Sequence, residues 1–389
     1  MNVRLTLCLG CIFVGLLSSS SADDARAAPS VMKVTHENAA HLDATLAQLV
    51  QSHQINTAGI AVINEGKLVW QQQYGMQSEQ VPASRDTLFN AASLTKPVVA
   101  ETILRLVEQG KLSLDESVAE HWVDPDLKDD TRVQQLTPRM LLSHTSGFMN
   151  WRFFSVDGKL AFINAPGETF GYSGEGYEYL AKYAENKLNK SFATLVEETL
   201  FQTLGIKRAF LTVDPANFTQ VAKPFDENGK FYGYYCNPYG YCAEEGSYSA
   251  AANLVISVED YANFLIASMS GTALSDSLRA ERDSLQGVQF TRDDIVCADA
   301  GTIPCPTTLG YGLGWSMSLF EDTKLIGHRG TNWKVVSLAY YYPDTRDGLV
   351  IFFNAPNALG LAAMVDALEL LDPDSPEILG YRLRAARTN

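Results

Sequence analysis

Apolar residues near the start of the chain recur at the spacing of one face of a helix. They stand three or four positions apart, at Leu42, Leu46, Leu49 and Val50. This spacing predicts a helix over residues 39–53. The next segment, 58–75, holds two β-type runs on either side of the turn sequence Asn64-Glu65-Gly66-Lys67, which predicts a β-hairpin.

A second helical stripe follows Ser93. Its apolar positions are Val98, Val99, Ile103, Leu104 and Val107. The stripe ends at Gly110, a residue suited to a helix C-cap. Residues 112–285 show mostly helical patches broken by Gly, Pro and Asn. Near the C-terminus, 335–355 predicts two strands joined by a turn at 344–348, and 358–371 predicts a helix.

Strands are therefore expected at both ends of the chain, with a helical region between them. The simplest arrangement is an α/β fold of the α+β type, in which strands from both ends of the chain form a single antiparallel sheet. We expect the sheet to come from about residues 57–92 and 310–372 and to be flanked by the terminal helices. The mostly helical insertion would cover about residues 93–300.

Composition and charge narrow the class of protein. The chain has 389 residues, of which 46% are hydrophobic and 19% charged, as in an ordinary globular protein. Its formal net charge is -15, and it contains no run of Lys or Arg. Phosphate backbones and anionic membrane surfaces need a basic face, so nucleic acid is not an expected partner.

The first residues have the order of a secretory signal peptide. Arg4 precedes an apolar stretch, Leu5 to Leu17, and small polar residues follow. The stretch is shorter than the roughly 20 residues of a membrane-spanning helix. We expect cleavage after Ala22 or Ala27, a signal peptide over 1–27 and a periplasmic or secreted location. A lipoprotein anchor at Cys11 is a minor alternative, and no later segment is expected to cross a membrane.

The four cysteines beyond the predicted signal peptide form two close pairs. They are Cys236 with Cys242 and Cys297 with Cys305. Gly and Pro between the members of each pair favour short closed loops, so two local disulfides are expected. Zinc ligation is the weaker alternative, because the spacings exceed those of paired zinc ligands and no His is close by.

Ser93 and Lys96 are the first candidates for chemistry. At positions i and i+3 of a helix their side chains lie on one face, and a serine nucleophile needs a neighbouring base. The structural alternative is a helix cap with a solvated lysine. The same spacing recurs at Ser30 and Lys33, so the pair alone does not decide.

Two later segments hold further candidates. Tyr172 stands between small residues before a helical pattern, where its phenol can point into a cleft and act as a base beside Lys96. Its alternative is one core aromatic among 17 tyrosines. His328 begins the sequence His328-Arg329-Gly330 before a strand, although a single His there is more often structural. Gly330 would let a substrate backbone approach, and the Thr331 amide could donate to an oxyanion.

In their order along the chain these segments resemble a known family. The segments are Ser93-Leu-Thr-Lys96, LLSHTSGF (141–148), Tyr172-Ser-Gly174, YGLGW (311–315) and His328-Arg-Gly330. They are similar to the motifs of serine β-lactamases and penicillin-binding proteins, in the class C β-lactamase, DD-carboxypeptidase and esterase branch. The resemblance implies a β-lactamase-like serine hydrolase domain over 28–389.

The resemblance also implies roles for individual residues. Ser93 would be acylated, and Lys96 and Tyr172 would manage its proton. The amides of Ser93 and Thr331 would form the oxyanion hole. Residues 328–330 would line the substrate strand. Ser30 and Lys33 lack such neighbours and are taken as a chance match.

Two positions depart from the family pattern. The second motif usually has Asn, whose amide grips a substrate carbonyl, where this chain has Gly174. The third motif usually begins with Lys, which pairs with a substrate carboxylate, where this chain has His328, only partly charged near neutral pH. Arg329 could replace the charge or point away. Both changes favour an ester or a D-amino-acid amide over efficient β-lactam hydrolysis.

Other catalytic mechanisms and a non-enzymatic role fit the sequence less well. GYSGEG around Ser173 lacks the second glycine of a G-x-S-x-G elbow, since position 175 is Glu175. The six histidines are scattered without an H-E-x-x-H pair, so neither a metal nor another cofactor is expected. A penicillin-recognising sensor or an inactive scaffold with the same fold is the non-enzymatic alternative. The sequence leaves the substrate and the oligomeric state open.

Overall fold

The computed structural model describes residues 31–226, 228–232, 242–295, 297 and 303–387. The predicted signal peptide 1–27, the alternative anchor Cys11 and the predicted partner of Cys242, Cys236, lie outside the described residues.

An antiparallel sheet of nine strands forms the centre of the fold, in the order β3-β2-β1-β12-β11-β10-β9-β8-β7. Its strands are β1 (Thr57–Asn64), β2 (Lys67–Ser78), β3 (Val81–Pro82), β7 (Gly287–Thr291), β8 (Thr308–Tyr311), β9 (Ser316–Leu319), β10 (Lys324–Asn332), β11 (Val335–Tyr342) and β12 (Asp347–Asn354). A second sheet has the order β4-β6-β5. Its strands are β4 (Leu88–Asn90), β5 (Ala209–Phe210) and β6 (Val255–Ser257).

Helices cover both faces of the large sheet. The α-helices are α1 (His36–Ser52), α2 (Thr95–Glu108), α3 (Pro138–Leu142), α4 (Gly174–Leu188), α5 (Phe192–Val196), α6 (Gln202–Leu204), α7 (Val258–Met269), α8 (Asp276–Arg282), α9 (Asn357–Leu371) and α10 (Glu377–Ala386). A π-helical turn, Glu197–Phe201, joins α5 to α6. The helices of the middle of the chain pack on one face, and α1, α9 and α10 pack on the other.

Strand β1 explains why the sheet needs cover on both faces. All eight of its residues are buried. Successive side chains of a strand point to opposite faces. Accordingly, Ile60 and Val62 enter the core under the terminal helices, whereas Ala61 and Ile63 enter the core under the inserted helices.

The local predictions at the ends of the chain agree with the structure. The first hairpin turns at Glu65 and Gly66, which both have positive φ, as a two-residue type I′ turn requires. Helix α1 begins at a capping box formed by Thr35 and Asn38 and buries its apolar stripe. The predicted α+β class, with an antiparallel sheet flanked by the terminal helices, is confirmed, and these helices lie on one face.

The predicted boundaries of the sheet differ from the structure at two points. Strand β7 joins the large sheet although it lies inside the segment predicted as a helical insertion. Strand β4 pairs with β6 in the small sheet instead of the large one. Both strands are short: β7 pairs with β8, the next strand of the chain, and β4 pairs with the distant β6. Segments of this length carry little local signal.

Two further expectations concern the cysteines and the membrane. Cys297 and Cys305 are joined by a disulfide, with their Cα atoms 6.0 Å apart. In the described part of the chain, none of the helices has the length and apolar character needed to span a bilayer.

Candidate active site

A cavity of about 390 Å³ lies between the inserted helices and one margin of the large sheet, and most of the predicted site residues line it. Predicted residues on its wall are Ser93, Lys96, Tyr172, His328, Arg329 and Thr331. Tyr311 of the YGLGW segment lines it as well. So do Asn150, Trp151 and Arg384, which the sequence did not single out. The volume is within the range of small-molecule sites.

Ser93 lies on a tight turn, the 3₁₀ helix Ala92–Leu94, between β4 and α2. The preceding residue, Ala92, has a φ of 46°, a left-handed conformation that is unfavourable for a residue with a side chain. Hydrogen bonds fix this turn: the Ala92 amide donates to Asn90 Oδ1 over 2.6 Å, and Thr95 Oγ1 donates to the Ala92 carbonyl over 2.6 Å. The surrounding structure maintains this strained turn, and the turn places Ser93 on the wall of the cavity.

Lys96 lies in the first turn of α2 and is almost fully buried. Its Nζ atom is 3.3 Å from Ser93 Oγ and 3.0 Å from the Ala251 carbonyl oxygen. The same atom is 4.8 Å from the centre of the Tyr172 ring and 5.6 Å from that of Tyr177. Among the described residues, no acid forms an ion pair with Lys96. The amine is thus held beside the hydroxyl by a carbonyl and two aromatic faces.

Tyr172 precedes α4, and its position depends on a buried histidine. His144 Nδ1 accepts a hydrogen bond from the Ser173 amide over 3.1 Å, and its ring centre is 4.4 Å from that of Tyr172. Burial, and then the charge of Lys96, hold the pKa of His144 well below its usual value. His144 is therefore a neutral packing residue that supports Tyr172.

Strand β10 supplies the opposite wall of the cavity. It pairs with β9 only from Lys324 to Gly327, whereas its pairing with β11 continues to Asn332. Residues 328–332 thus form an open margin of the described sheet. Gly330 permits this margin to approach the nucleophile turn, because a Cβ atom there would lie 2.8 Å from the Ala91 carbonyl oxygen.

The reason for glycine at position 330 differs from the expected one. The space around it is filled by the protein itself, since an added Cβ would lie 2.1 Å from Ser337 Oγ. Ser337 Oγ in turn donates to the Ala91 carbonyl over 2.9 Å. Close packing of the chain on itself, not approach by a substrate, requires the glycine, and Thr331 is brought next to the Ser93 turn.

His328 is neutral, which corrects the expectation of partial charge near neutral pH. Burial, together with the charge of Lys96, lowers its pKa to about 3. Its Nδ1–H donates to the Arg329 carbonyl over 2.7 Å, so Nε2 carries the lone pair. Nε2 is buried without a hydrogen-bond partner in the described chain. His328 therefore brings no positive charge to the cavity wall.

Positive charge at this margin comes from two arginines with different roles. The Arg329 guanidinium donates two hydrogen bonds to Glu377 of α10, which is buried. Arg329 thus points towards α10. Arg384, also on α10, donates to Thr331 Oγ1 and lines the cavity. Of the two, Arg384 is the cation next to the predicted oxyanion residue.

Gly174 does not line the cavity, because the indole of Trp151 covers it. A Cβ atom at Gly174 would lie 2.5 Å from Trp151 Cζ2. The neighbouring Asn150 accepts a hydrogen bond from the Gly174 amide through Oδ1, over 2.9 Å. The departure from Asn at position 174 was visible in the sequence, but the residue that takes its place was not.

Glu178 on α4 fixes the loop that holds Lys96. Its carboxylate accepts hydrogen bonds from the amides of Ala250 and Ala251 over 3.2 and 3.3 Å, and from Ser249 Oγ. This loop carries the Ala251 carbonyl that holds Lys96. Burial raises the pKa of the Glu178 carboxyl.

The competing candidates lie elsewhere or have other tasks. Ser173 is fully buried, and its Oγ caps α4 by accepting from the Gly176 amide over 3.0 Å. Lys33 pairs with Asp347 over 2.9 Å, and Ser30 lies outside the described residues. Ser173 therefore does not compete with Ser93 for the cavity.

Comparison with known proteins agrees with this arrangement. Residues 42–371 match the family model Beta-lactamase. Esterase EstB of Burkholderia gladioli is 29% identical over 212 residues, which cover 46% of this chain and 53% of EstB. Penicillin-binding protein 4* of Bacillus subtilis (strain 168) is 29% identical over 187 residues, covering 43% and 40% respectively.

A solved structure supports the fold. The D-amino acid amidase from Ochrobactrum anthropi SV3 superposes with a TM-score of 0.64 at 20% identity, over 81% of this chain and 91% of the amidase. The chain matches about half the length, or less, of the two curated relatives. Because the family model spans most of its residues, the chain belongs to the beta-lactamase family.

Proposed function

We propose that this protein is a serine hydrolase that acts through an acyl-enzyme on an ester or a D-amino-acid amide. The observation that carries the proposal is the position of Lys96 Nζ, 3.3 Å from Ser93 Oγ and 4.8 Å from the centre of the Tyr172 ring. Nucleophile and proton acceptors thus meet in one cavity.

The proposed reaction has two halves. Ser93 Oγ attacks the substrate carbonyl carbon while its proton passes to Lys96 or Tyr172, and the amides of Ser93 and Thr331 stabilise the negative oxygen. The carbon–oxygen or carbon–nitrogen bond breaks, and the leaving group takes up the proton. Water then attacks the acyl-serine, the acid is released, and Ser93 regains its proton.

Two features favour esters and simple amides over carboxylate-bearing β-lactams. His328 brings no positive charge to the third motif, and Trp151 stands where the family has an amide donor. The name of EstB, an esterase, agrees with this preference. β-Lactam turnover, if present, should therefore be weak.

The decisive experiment compares wild type with Ser93→Ala on p-nitrophenyl acetate. Loss of at least about 10³-fold in kcat is expected, since removal of a nucleophile in a serine hydrolase costs this much or more. Ser173→Ala is the matched control and should retain activity, because Ser173 is a buried helix cap. Undiminished turnover in Ser93→Ala would refute the assignment.

A labelling experiment separates the non-enzymatic alternatives. A fluorophosphonate probe should modify Ser93, detected by mass spectrometry of the peptide that carries it. Labelling by fluorescent penicillin without ester turnover would indicate a sensor. Absence of both labelling and turnover would indicate an inactive scaffold.

We also propose that the protein is exported to the periplasm or secreted. The signal-like order of residues 1–27 and the disulfide between Cys297 and Cys305 support this location. N-terminal sequencing of the mature protein should begin after Ala22 or Ala27. An intact Met1 in the purified cellular protein would contradict export by a cleaved signal.

A further inference from the structure

Trp151 occupies a place that the family pattern gives to a polar side chain. An ideal Cβ atom on Gly174 would lie 2.5 Å from Trp151 Cζ2 and 2.6 Å from Cη2, closer than packed atoms approach. Two residues after Tyr172, the indole therefore excludes an asparagine side chain. Beside Asn150, this part of the cavity wall therefore presents an indole face.

The segment that carries Trp151 is fixed before any substrate arrives. Asn150 accepts from the Gly174 amide through Oδ1, and its carbonyl accepts from the Glu175 amide over 3.0 Å. On the other side of Trp151, the Arg152 amide and guanidinium donate to the Glu175 carboxylate over 2.8–2.9 Å. These hydrogen bonds clamp the segment to the first turn of α4, so the indole surface is preorganised.

Aromatic side chains continue from the cavity to the molecular surface. The Phe153 ring stacks on Trp151 with centres 5.7 Å apart and planes at 14°. Phe154 contacts Phe153 edge-on at 4.7 Å. The two phenylalanines are 66% and 67% exposed. We call Trp151, Phe153 and Phe154 the aromatic strip; contiguous exposed apolar surface of this kind marks binding sites.

We propose that the aromatic strip binds the acyl group of the substrate, and that this group is an apolar alkyl chain or arylalkyl group. This inference rests on the proposed function. The strip begins at the wall of the cavity that Ser93 and Tyr172 also line, so a chain attached to the scissile carbonyl can leave along it. Indole and phenyl faces favour apolar groups by removing their surface from water.

A membrane surface is a less suitable occupant. The formal net charge of -15 opposes contact with anionic lipids. The strip is also continuous with the cavity through Trp151, as a substrate subsite must be.

The test compares kcat/KM for p-nitrophenyl acetate and p-nitrophenyl octanoate. In wild type the octanoate should exceed the acetate by about tenfold or more, because each methylene placed against apolar surface adds to binding. Trp151→Ala should reduce this ratio by about tenfold, because it removes the apolar face at the cavity wall. Trp151→Phe should retain most of the preference, since it keeps an aromatic face.

Substitutions at the exposed end of the aromatic strip should not destabilise the fold. Phe153→Ala with Phe154→Ala should lower the ratio of octanoate to acetate kcat/KM. Phe290→Ala is the matched control: it removes an exposed phenylalanine of β7 that is absent from the cavity wall, and it should change neither substrate. Circular dichroism and melting temperature confirm the fold of each variant.

Failure of this inference and failure of the proposed function give different results. If acetate hydrolysis depends on Ser93 but the ratio of octanoate to acetate is the same in wild type and in both strip variants, the aromatic strip does not bind the acyl group. If wild type hydrolyses neither ester, or Ser93→Ala retains turnover, the proposed function itself fails.

Two binding measurements cover the other occupants. Sedimentation with phosphatidylcholine vesicles should leave wild type in the supernatant, and light scattering should give the same mass for wild type and the double Phe variant. Vesicle binding that is lost in the double variant would assign the strip to a lipid surface. A dimer that dissociates in that variant would assign it to a second copy of the chain. Either result overturns the proposal.

Discussion

The Nζ atom of Lys96 lies within hydrogen-bond distance of both Ser93 Oγ, at 3.3 Å, and the Ala251 carbonyl oxygen, at 3.0 Å. The carbonyl fixes the amine from one side, and the serine hydroxyl lies on the other. Buried groups held in this way contribute to catalysis through position as much as through chemistry.

The first prediction concerns the two Ser-Lys spacings of the chain. Lys96→Ala should lower kcat for p-nitrophenyl acetate by about 10²–10⁴-fold, the usual contribution of a general base. Lys33→Ala, the matched control, should keep activity within about twofold of wild type, since Lys33 pairs with Asp347 away from the cavity. Equal effects of the two substitutions would contradict the assignment of Lys96.

The second prediction assigns Glu178 as a positioning residue. Its carboxylate holds the amides of Ala250 and Ala251, and the Ala251 carbonyl holds Lys96. Glu178→Ala should release this carbonyl and lower kcat by about 10- to 100-fold, because small displacements of catalytic groups cost this much.

Two readouts separate positioning from general destabilisation by Glu178→Ala. KM should remain within about twofold of wild type, since Glu178 does not line the cavity, and Glu178→Gln should rescue part of kcat by keeping an acceptor for the amides. A rise in KM with unchanged kcat would show that Glu178 acts on the substrate site instead.

The sequence predicted the site residues that belong to the ordered family motifs. Ser93, Lys96 and Tyr172 line one cavity with Thr331, although the third and fourth are far from the first two in the chain. Ser93 and Tyr172 stand just before helices α2 and α4. Thr331 lies near the end of β10, within the strand that the sequence placed after Gly330. The antiparallel sheet flanked by the terminal helices could be predicted because its central strands are long and strongly patterned.

Other features depend on contacts that no local pattern reports. The packing of Trp151 on Gly174 joins positions 23 residues apart through a loop without periodicity. Arg384 reaches Thr331 from α10, whose pattern gives no sign of a site. The protonation of His328 depends on how deeply its ring is buried, and burial of one ring follows only from the assembled fold.

The third prediction tests the contact between Trp151 and Gly174. Gly174→Ala places a Cβ atom against the indole, 2.5 Å from Cζ2, and should destabilise the protein by about 1–3 kcal/mol. Combining it with Trp151→Ala removes the clash, so the double variant should be more stable than the sum of the single effects implies. Denaturant unfolding of the four proteins measures the coupling, and additive effects would contradict the contact.

The fourth prediction concerns Arg384 and negatively charged substrates. Two aryl esters with the same acyl group, phenyl and 3-carboxyphenyl, differ only in a carboxylate on the leaving group. Arg384→Ala should lower kcat/KM for the carboxylate ester about fivefold relative to the neutral one, which is ~1 kcal/mol for a partly exposed charge pair. Arg384→Lys should keep part of the preference. An unchanged ratio in Arg384→Ala would show that this cation does not contact the leaving group.

The last prediction is a dependence of stability on pH that originates at His328. The pKa of His328 is about 3 in the folded protein and has an ordinary value of 6.5 when unfolded. Above pH 6.5 both states are neutral, and His328 contributes no pH dependence. Between pH 6.5 and about 3 the unfolded state binds a proton that the folded state does not, so stability falls as the pH falls.

His328→Asn removes the imidazole that binds this proton in the unfolded state. The asparagine side-chain amide can still donate a hydrogen bond to the Arg329 carbonyl. The free energy of unfolding should therefore decrease less steeply in the variant than in wild type between pH 6 and 4, by at most about 1.4 kcal/mol per pH unit. Urea unfolding at several pH values measures the two slopes. His144, which is also buried and neutral, remains in both proteins and cancels in the comparison. Parallel slopes would mean that His328 is protonated in the folded protein, and the third motif would then carry a positive charge towards the substrate after all.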